Sequence, residues 1–102
     1  MSFTRTSPAG LISLGFQKIT TNSTATALNS TCSPGSAFIV TVESQNVRMR
    51  FDAGTPAAST GILFLSTLGP YFLEGVKGAD IRIARVAAGA VVQVNAFKRP
   101  GQ

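Results

Sequence analysis

Ala37-Phe38-Ile39-Val40-Thr41-Val42-Glu43, a turn at Ser44-Gln45-Asn46, then Val47-Arg48-Met49-Arg50-Phe51-Asp52: this stretch decides the fold. Its first run is dense in β-branched and aromatic side chains, the composition of a strand. Its second run alternates. Val47, Met49 and Phe51 fall on one face and Arg48, Arg50 and Asp52 on the other, the two-residue period of a half-buried strand. Ala53-Gly54-Thr55-Pro56 follows as a turn, with Asp52 placed to accept a hydrogen bond from the main chain two residues on.

Working outward, Phe16 to Thr20 alternates more weakly, with Phe16, Lys18 and Thr20 on one face and Gln17 and Ile19 on the other. Gly61 to Thr67 and Tyr71 to Leu73 read as short buried strands broken by Gly69-Pro70. Ile81 to Val86 and Ala90 to Phe97 read as strands joined by a hairpin connection at Ala87-Ala88-Gly89. Residues 20 to 36, rich in Ser and Thr, are expected as loop facing solvent or a partner. No apolar helical period survives for three turns, because Gly or Pro interrupts every candidate. About seven short strands at roughly 8 to 12 residue spacing predict an all-β chain, a single small antiparallel sandwich or barrel. An extended N-terminal arm (residues 1–10) precedes the domain (11–97), and a polar tail (98–102) follows it.

Composition narrows the chemistry. Hydrophobic residues make 44% of the 102 and charged residues 13%, against about 25% charged in a typical domain. A lone molecule so poor in charge would expose an unusually bare surface, so coverage by a partner or by its own copies is expected. There is no His, no Trp and one Cys, which excludes His-ligated metals, Cys-pair zinc sites and His-dependent triads. Glu43, Asp52, Glu74 and Asp80 are the four carboxylates. Asp52 and Asp80 read as turn and strand-end residues, and Cys32 has no base. The chain is expected not to be an enzyme, to use no cofactor and to hold no metal. Cys32, without a second cysteine, points to folding in a reducing cytosol. The Leu11 to Phe16 patch is too short for a signal-peptide core and Gly61 to Leu73 too short to span a bilayer, so no membrane partner is expected.

Arg48 and Arg50 on one strand face can clamp phosphates or the carboxylates of a neighbouring chain, since each offers a planar fork of donors. They can equally be neutralised from within, by Asp52 with Glu43 or Asp80. Nucleic-acid stacking, as in a small basic single-stranded-nucleic-acid-binding barrel, needs aromatic rings on the basic face. The parity puts Phe51 on the opposite side, and Phe38, Phe64, Phe72 and Phe97 read as core or interface, so nucleic acid is not the expected partner.

The residues Val47, Arg48, Arg50, Asp52, Gly54, Thr55, Pro56 and Gly61, then Ile81, Arg82, Ile83, Gly89, Ala90 and Val94, resemble a pattern found in small structural proteins of tailed bacteriophages and prophages. Met49 stands where that family commonly has an aromatic, and Ala57 where it has Thr. The resemblance implies a virion component made in the host bacterial cytoplasm. It would be a capsid decoration (cement) protein binding the major capsid protein and its own copies as a trimer or ring, or alternatively a neck or tail accessory bound to neck or tail proteins. The residues expected at its interfaces are Arg48, Arg50 and Asp52 on the arginine face, Arg82 in the Ile81 to Val86 strand, Phe3 and Arg5 on the arm, and Tyr71 and Phe72 on the apolar run.

Overall fold

A computed structural model describes residues 6–7 and 10–99. The chain is all-β, built as two antiparallel sheets that enclose one core. Its strands are β1 (Thr6–Ser7), β2 (Leu11–Thr20), β3 (Thr26–Ala27), β4 (Ala37–Glu43), β5 (Val47–Arg50), β6 (Ile62–Phe64), β7 (Tyr71–Glu74), β8 (Arg82–Arg85) and β9 (Val91–Lys98). A 3-10 turn, Gly78–Asp80, precedes β8. The larger sheet runs β1-β2-β9-β4-β7 and the smaller β3-β8-β5-β6.

The alternation that identifies the strands also builds the core. Phe38, Val40 and Val42 of β4 meet Val92 and Val94 of β9 and Ile19 of β2 on the inner face of the larger sheet. Val47 and Met49 of β5, Ile83 of β8 and Phe64 of β6 meet them from the smaller one. All are buried, and this apolar layer between two sheets is the main source of stability. On the outer side of the larger sheet a second cluster forms from Leu11, Ala37 and Phe97, with Ile39 against it.

Several expectations are corrected. The first long strand begins at Leu11 rather than Phe16, because an irregularity between Ser13 and Gly15 breaks the parity while pairing with β9 continues. Within the arm Thr6–Ser7 is extended and pairs back on Leu11 and Ile12 of its own chain; Met1 to Arg5, Pro8 and Ala9 lie outside the described residues. Ala87-Ala88-Gly89 is not a hairpin connection. β8 pairs with β3 and β5, whereas β9 pairs with β2 and β4, so the segment carries the chain from one sheet to the other. The expected strand from Gly61 to Thr67 shrinks to Ile62–Phe64, and neither it nor Tyr71–Glu74 is wholly buried, because each lies at a sheet edge.

Residues 20–36 are not plain surface loop either. Thr21 is buried and its hydroxyl donates to the Ala90 carbonyl at 2.7 Å. Leu28 and Cys32 join the core. The Asn29 side chain accepts from the Thr31 and Cys32 amides at 3.1 and 3.0 Å, folding the segment into a plug that seats Cys32 inward. Burial raises the Cys32 thiol pKa, which keeps it protonated and unreactive.

Candidate functional site

The sequence directs attention to β5 and the turn after it. Val47 and Met49 point into the core, and Arg48 and Arg50 point to the outer side of the smaller sheet. The β5–β8 register sets Arg50 opposite Arg82 and Arg48 opposite Ala84; the β5–β6 register sets Arg48 opposite Leu63. Partners in an antiparallel register share a face. Arg48, Arg50 and Arg82 therefore form a guanidinium cluster, with Ala84 and Leu63 as its apolar neighbours.

Each guanidinium is held differently. Arg50 makes a two-pronged pair with Asp52, Nε to Oδ1 at 3.0 Å and Nη2 to Oδ2 at 2.6 Å, while Asp52 Oδ1 also accepts from the Gly54 amide at 3.0 Å. These donors, the Arg50 guanidinium foremost, hold the Asp52 carboxyl down to about 2 from its ordinary 3.8. The same hydrogen bond and charge raise the Arg50 pKa. The turn can approach so closely because residue 54 has no side chain: a Cβ there would overlap the Arg50 guanidinium. Arg48 instead donates to main-chain carbonyls of the loop before β6, Nε to Ala58 at 3.3 Å and Nη1 to Gly61 at 3.0 Å. Arg82 Nη1 donates to the Ala79 and Ile81 carbonyls at 2.8 and 3.0 Å. Among the described residues no carboxylate pairs with Arg48 or Arg82. The internal-network expectation thus holds for Arg50 with Asp52 and fails for Arg48. Of the other expected partners, Glu43 accepts from Gln93 Nε2 at 3.0 Å on the opposite sheet, and Asp80 makes no ion pair with any of the described residues.

The segment from Gly61 to Glu74 forms a second feature. It leaves β6 at one end of the smaller sheet and enters β7 at one end of the larger, so both edges lie along one run of chain. This run carries Ile62 at 55% exposure, Leu63 at 42%, Leu68 at 59% and Phe72 at 46%, most of the large apolar side chains left in water. Two of the expected interface residues separate here. Phe72 faces outward. Tyr71 faces in, its ring edge-on to Phe64 at 4.8 Å, its hydroxyl donating to the Leu65 carbonyl and accepting from the Leu65 amide at 3.1 and 2.9 Å. Tyr71 therefore ties the edge to the core. Phe3 and Arg5 lie outside the described residues. Ile62, Leu63 and Leu68 were not singled out one by one by the sequence, since an apolar run without alternation gives no parity to tell inside from outside. The parity sets Phe16 and Ile19 on opposite faces, and Phe16 is exposed while Ile19 is buried.

A shallow cleft of about 240 Å³ opens between the two features, lined by Met49, Arg50, Phe51, Asp52, Gly61 and Ile62. Its one acidic group is committed to Arg50. Among the described residues no three His, Cys, Asp or Glu side chains gather to hold a metal ion, and no helix is long and apolar enough to cross a membrane. Comparison with protein-family models, with curated proteins and with solved structures found no match.

Proposed function

We propose that this chain is a non-enzymatic assembly protein, a capsid decoration protein of a tailed phage that binds the shell and its own copies. The observation that carries the assembly reading is the Gly61 to Glu74 run. It sets Ile62, Leu63, Leu68 and Phe72 in water beside two sheet edges, on a chain with only 13% charged residues. Apolar side chains concentrated along an unpaired edge mark an association surface, and edge strands invite main-chain pairing with another chain. A second copy of this chain is the occupant we assign to that edge, in keeping with a trimer or other closed ring. The virion setting is supported by the resemblance of Val47 to Gly61 and Ile81 to Val94 to tailed-phage structural proteins, and a neck or tail accessory role shares that support.

Two measurements test the proposal. Sedimentation equilibrium of the purified chain should show a discrete oligomer; a monomer at every concentration removes self-assembly. Mass spectrometry of purified virions should find the chain at a copy number matched to the shell for decoration. A copy number of a few to a dozen per particle would move it to the neck or tail, and absence from particles would overturn the virion role.

A further inference from the structure

We infer that the outer face of the smaller sheet is a docking site for a carboxylate-rich surface of a different protein, with Arg48, Arg50 and Arg82 as the recognition groups. This rests on the reading of the chain as an assembly protein and names the chemistry of its partner. Arg50 and Arg82 are directly opposed in the β5–β8 register, where like charges destabilise a sheet. The fold alone gains nothing from that opposition, and of the three arginines only Arg50 has a carboxylate of its own among the described residues. Arg48 and Arg82 spend Nη1, and for Arg48 also Nε, on main-chain carbonyls. Those bonds fix the guanidinium planes in advance and leave further donors of each fork for an incoming anion, the preorganisation that makes arginine recognition of carboxylates strong.

The identity of the partner follows from what this chain lacks. A second copy could bring four side-chain carboxylates. Asp52 is bound by Arg50, Glu74 lies 3.8 Å from Arg99, and Glu43 accepts from Gln93. Among the described residues Glu43 and Asp80 are left without a cation, too few to neutralise this face on a chain of net charge +5. Nucleic acid is disfavoured by the neighbours of the guanidiniums. Ala84, Leu63 and Ala27 share the face with them, whereas Phe51 is half-buried against the core, edge-on to Phe64 at 6.2 Å, so among the described residues no ring lies on the arginine face for a base to stack on. An acidic protein surface needs only charge and the shallow apolar contact that Leu63 supplies.

The test uses poly-L-glutamate as the probe, with binding followed by fluorescence anisotropy at fixed ionic strength. Arg82→Gln and Arg48→Gln should each weaken binding about fivefold, and Lys18→Gln, which removes the same charge from the other sheet, by less than about twofold. Amide shifts of the unmodified protein on titration should concentrate in Val47–Arg50 and Arg82–Arg85, a readout that does not depend on any variant folding. Equal weakening by all three substitutions, or shifts spread over both sheets, would overturn the proposal, because diffuse net charge would then account for binding. Tighter binding of an oligothymidylate of equal charge, with shifts on the same strands, would overturn it in favour of nucleic acid. If polyglutamate binds as expected while the chain stays monomeric and absent from virions, the assembly reading falls and the anion site stands.

Discussion

Asp52 accepts from the Arg50 guanidinium through both oxygens and from the Gly54 amide, and the sign of its effect on stability follows. Its folded pKa, about 2, lies below the ordinary 3.8, so the folded state favours the charged carboxylate. The pair's contribution is complete above the ordinary pKa and disappears as pH falls through the folded one. The difference in melting temperature between the unmodified chain and Asp52→Asn should therefore be constant near neutrality and shrink between about pH 4 and about pH 2. A difference that does not change with pH would show the pair contributes nothing. Two glycines make a contrasting test. A Cβ at Gly78 would meet the main-chain oxygens of Ser33 and Cys32 at 2.7 and 2.8 Å and the Phe38 ring at 2.9 Å, none of which can move without opening the core. Gly78→Ala should cost about 1 to 3 kcal/mol in denaturant unfolding. At Gly54 the obstacle is the end of a mobile arginine. Gly54→Ala should displace Arg50 from Asp52, lower the melting temperature near neutrality by about as much as Asp52→Asn does, and abolish the acid dependence of the pair.

At the scale of the strand, β4 is legible from its density of β-branched and aromatic side chains and β5 from its uninterrupted alternation, with an inner face that is wholly apolar. Val47 and Met49 are buried, and Arg48 and Arg50 lie on the other side, as the parity requires. What was hidden has physical reasons. β1 and β3 are two-residue strands of Thr, Ser and Ala, too short and too neutral to show a period. The front half of β2 was lost where an irregular pairing at Ser13 to Gly15 changes which parity faces inward. The passage from β8 to β9 was misread as a hairpin because a short glycine-containing connection suits a hairpin or a crossing between sheets; only the long-range pairings of β9 with β2 and β4 decide. The arginine face is legible in the parity of β5, and Asp52 as one of its partners, but not that Asp52 serves Arg50 alone. Nor is the role of Arg48, since main-chain carbonyls across a loop leave no mark in side-chain chemistry. The two faces of β5 should separate on substitution. Met49→Asp buries an unpaired carboxylate at a cost of several kcal/mol, out of a total stability of about 5 to 15, and should unfold the chain. Arg50→Ala should leave the circular dichroism spectrum and most of the melting temperature intact while weakening partner binding. Equal melting losses would mean the arginine face is built for folding.

For the molecule as a whole, the two sheets use their inner faces on one another and leave unequal outer surfaces. The smaller sheet presents guanidiniums, and the larger presents Phe16 and Phe72 with Asn95 and Ile39 between them along one row of the register. Phe16 and Phe72 are similarly exposed, but three strand spacings part them, about 14 Å, and only Phe72 belongs to the edge run that also carries Leu63 and Leu68. That separation distinguishes two ways in which copies could meet. If they join edge to edge along β6 and β7, Phe72→Glu and Leu68→Glu should each convert the oligomer to monomer in sedimentation equilibrium. Phe16→Glu, which adds the same charge at an equally open position, should leave it assembled. All three side chains stand in solvent, so none of the substitutions should lower the melting temperature by more than the loss of assembly itself. If Phe16→Glu dissociates the oligomer as fully as Phe72→Glu, copies meet through the broad outer face of the larger sheet, and the edges of β6 and β7 are left open to another chain. If none of the three changes the mass, the apolar edge plays no part in self-association, and the low charge of this chain must be explained by a surface on the partner alone.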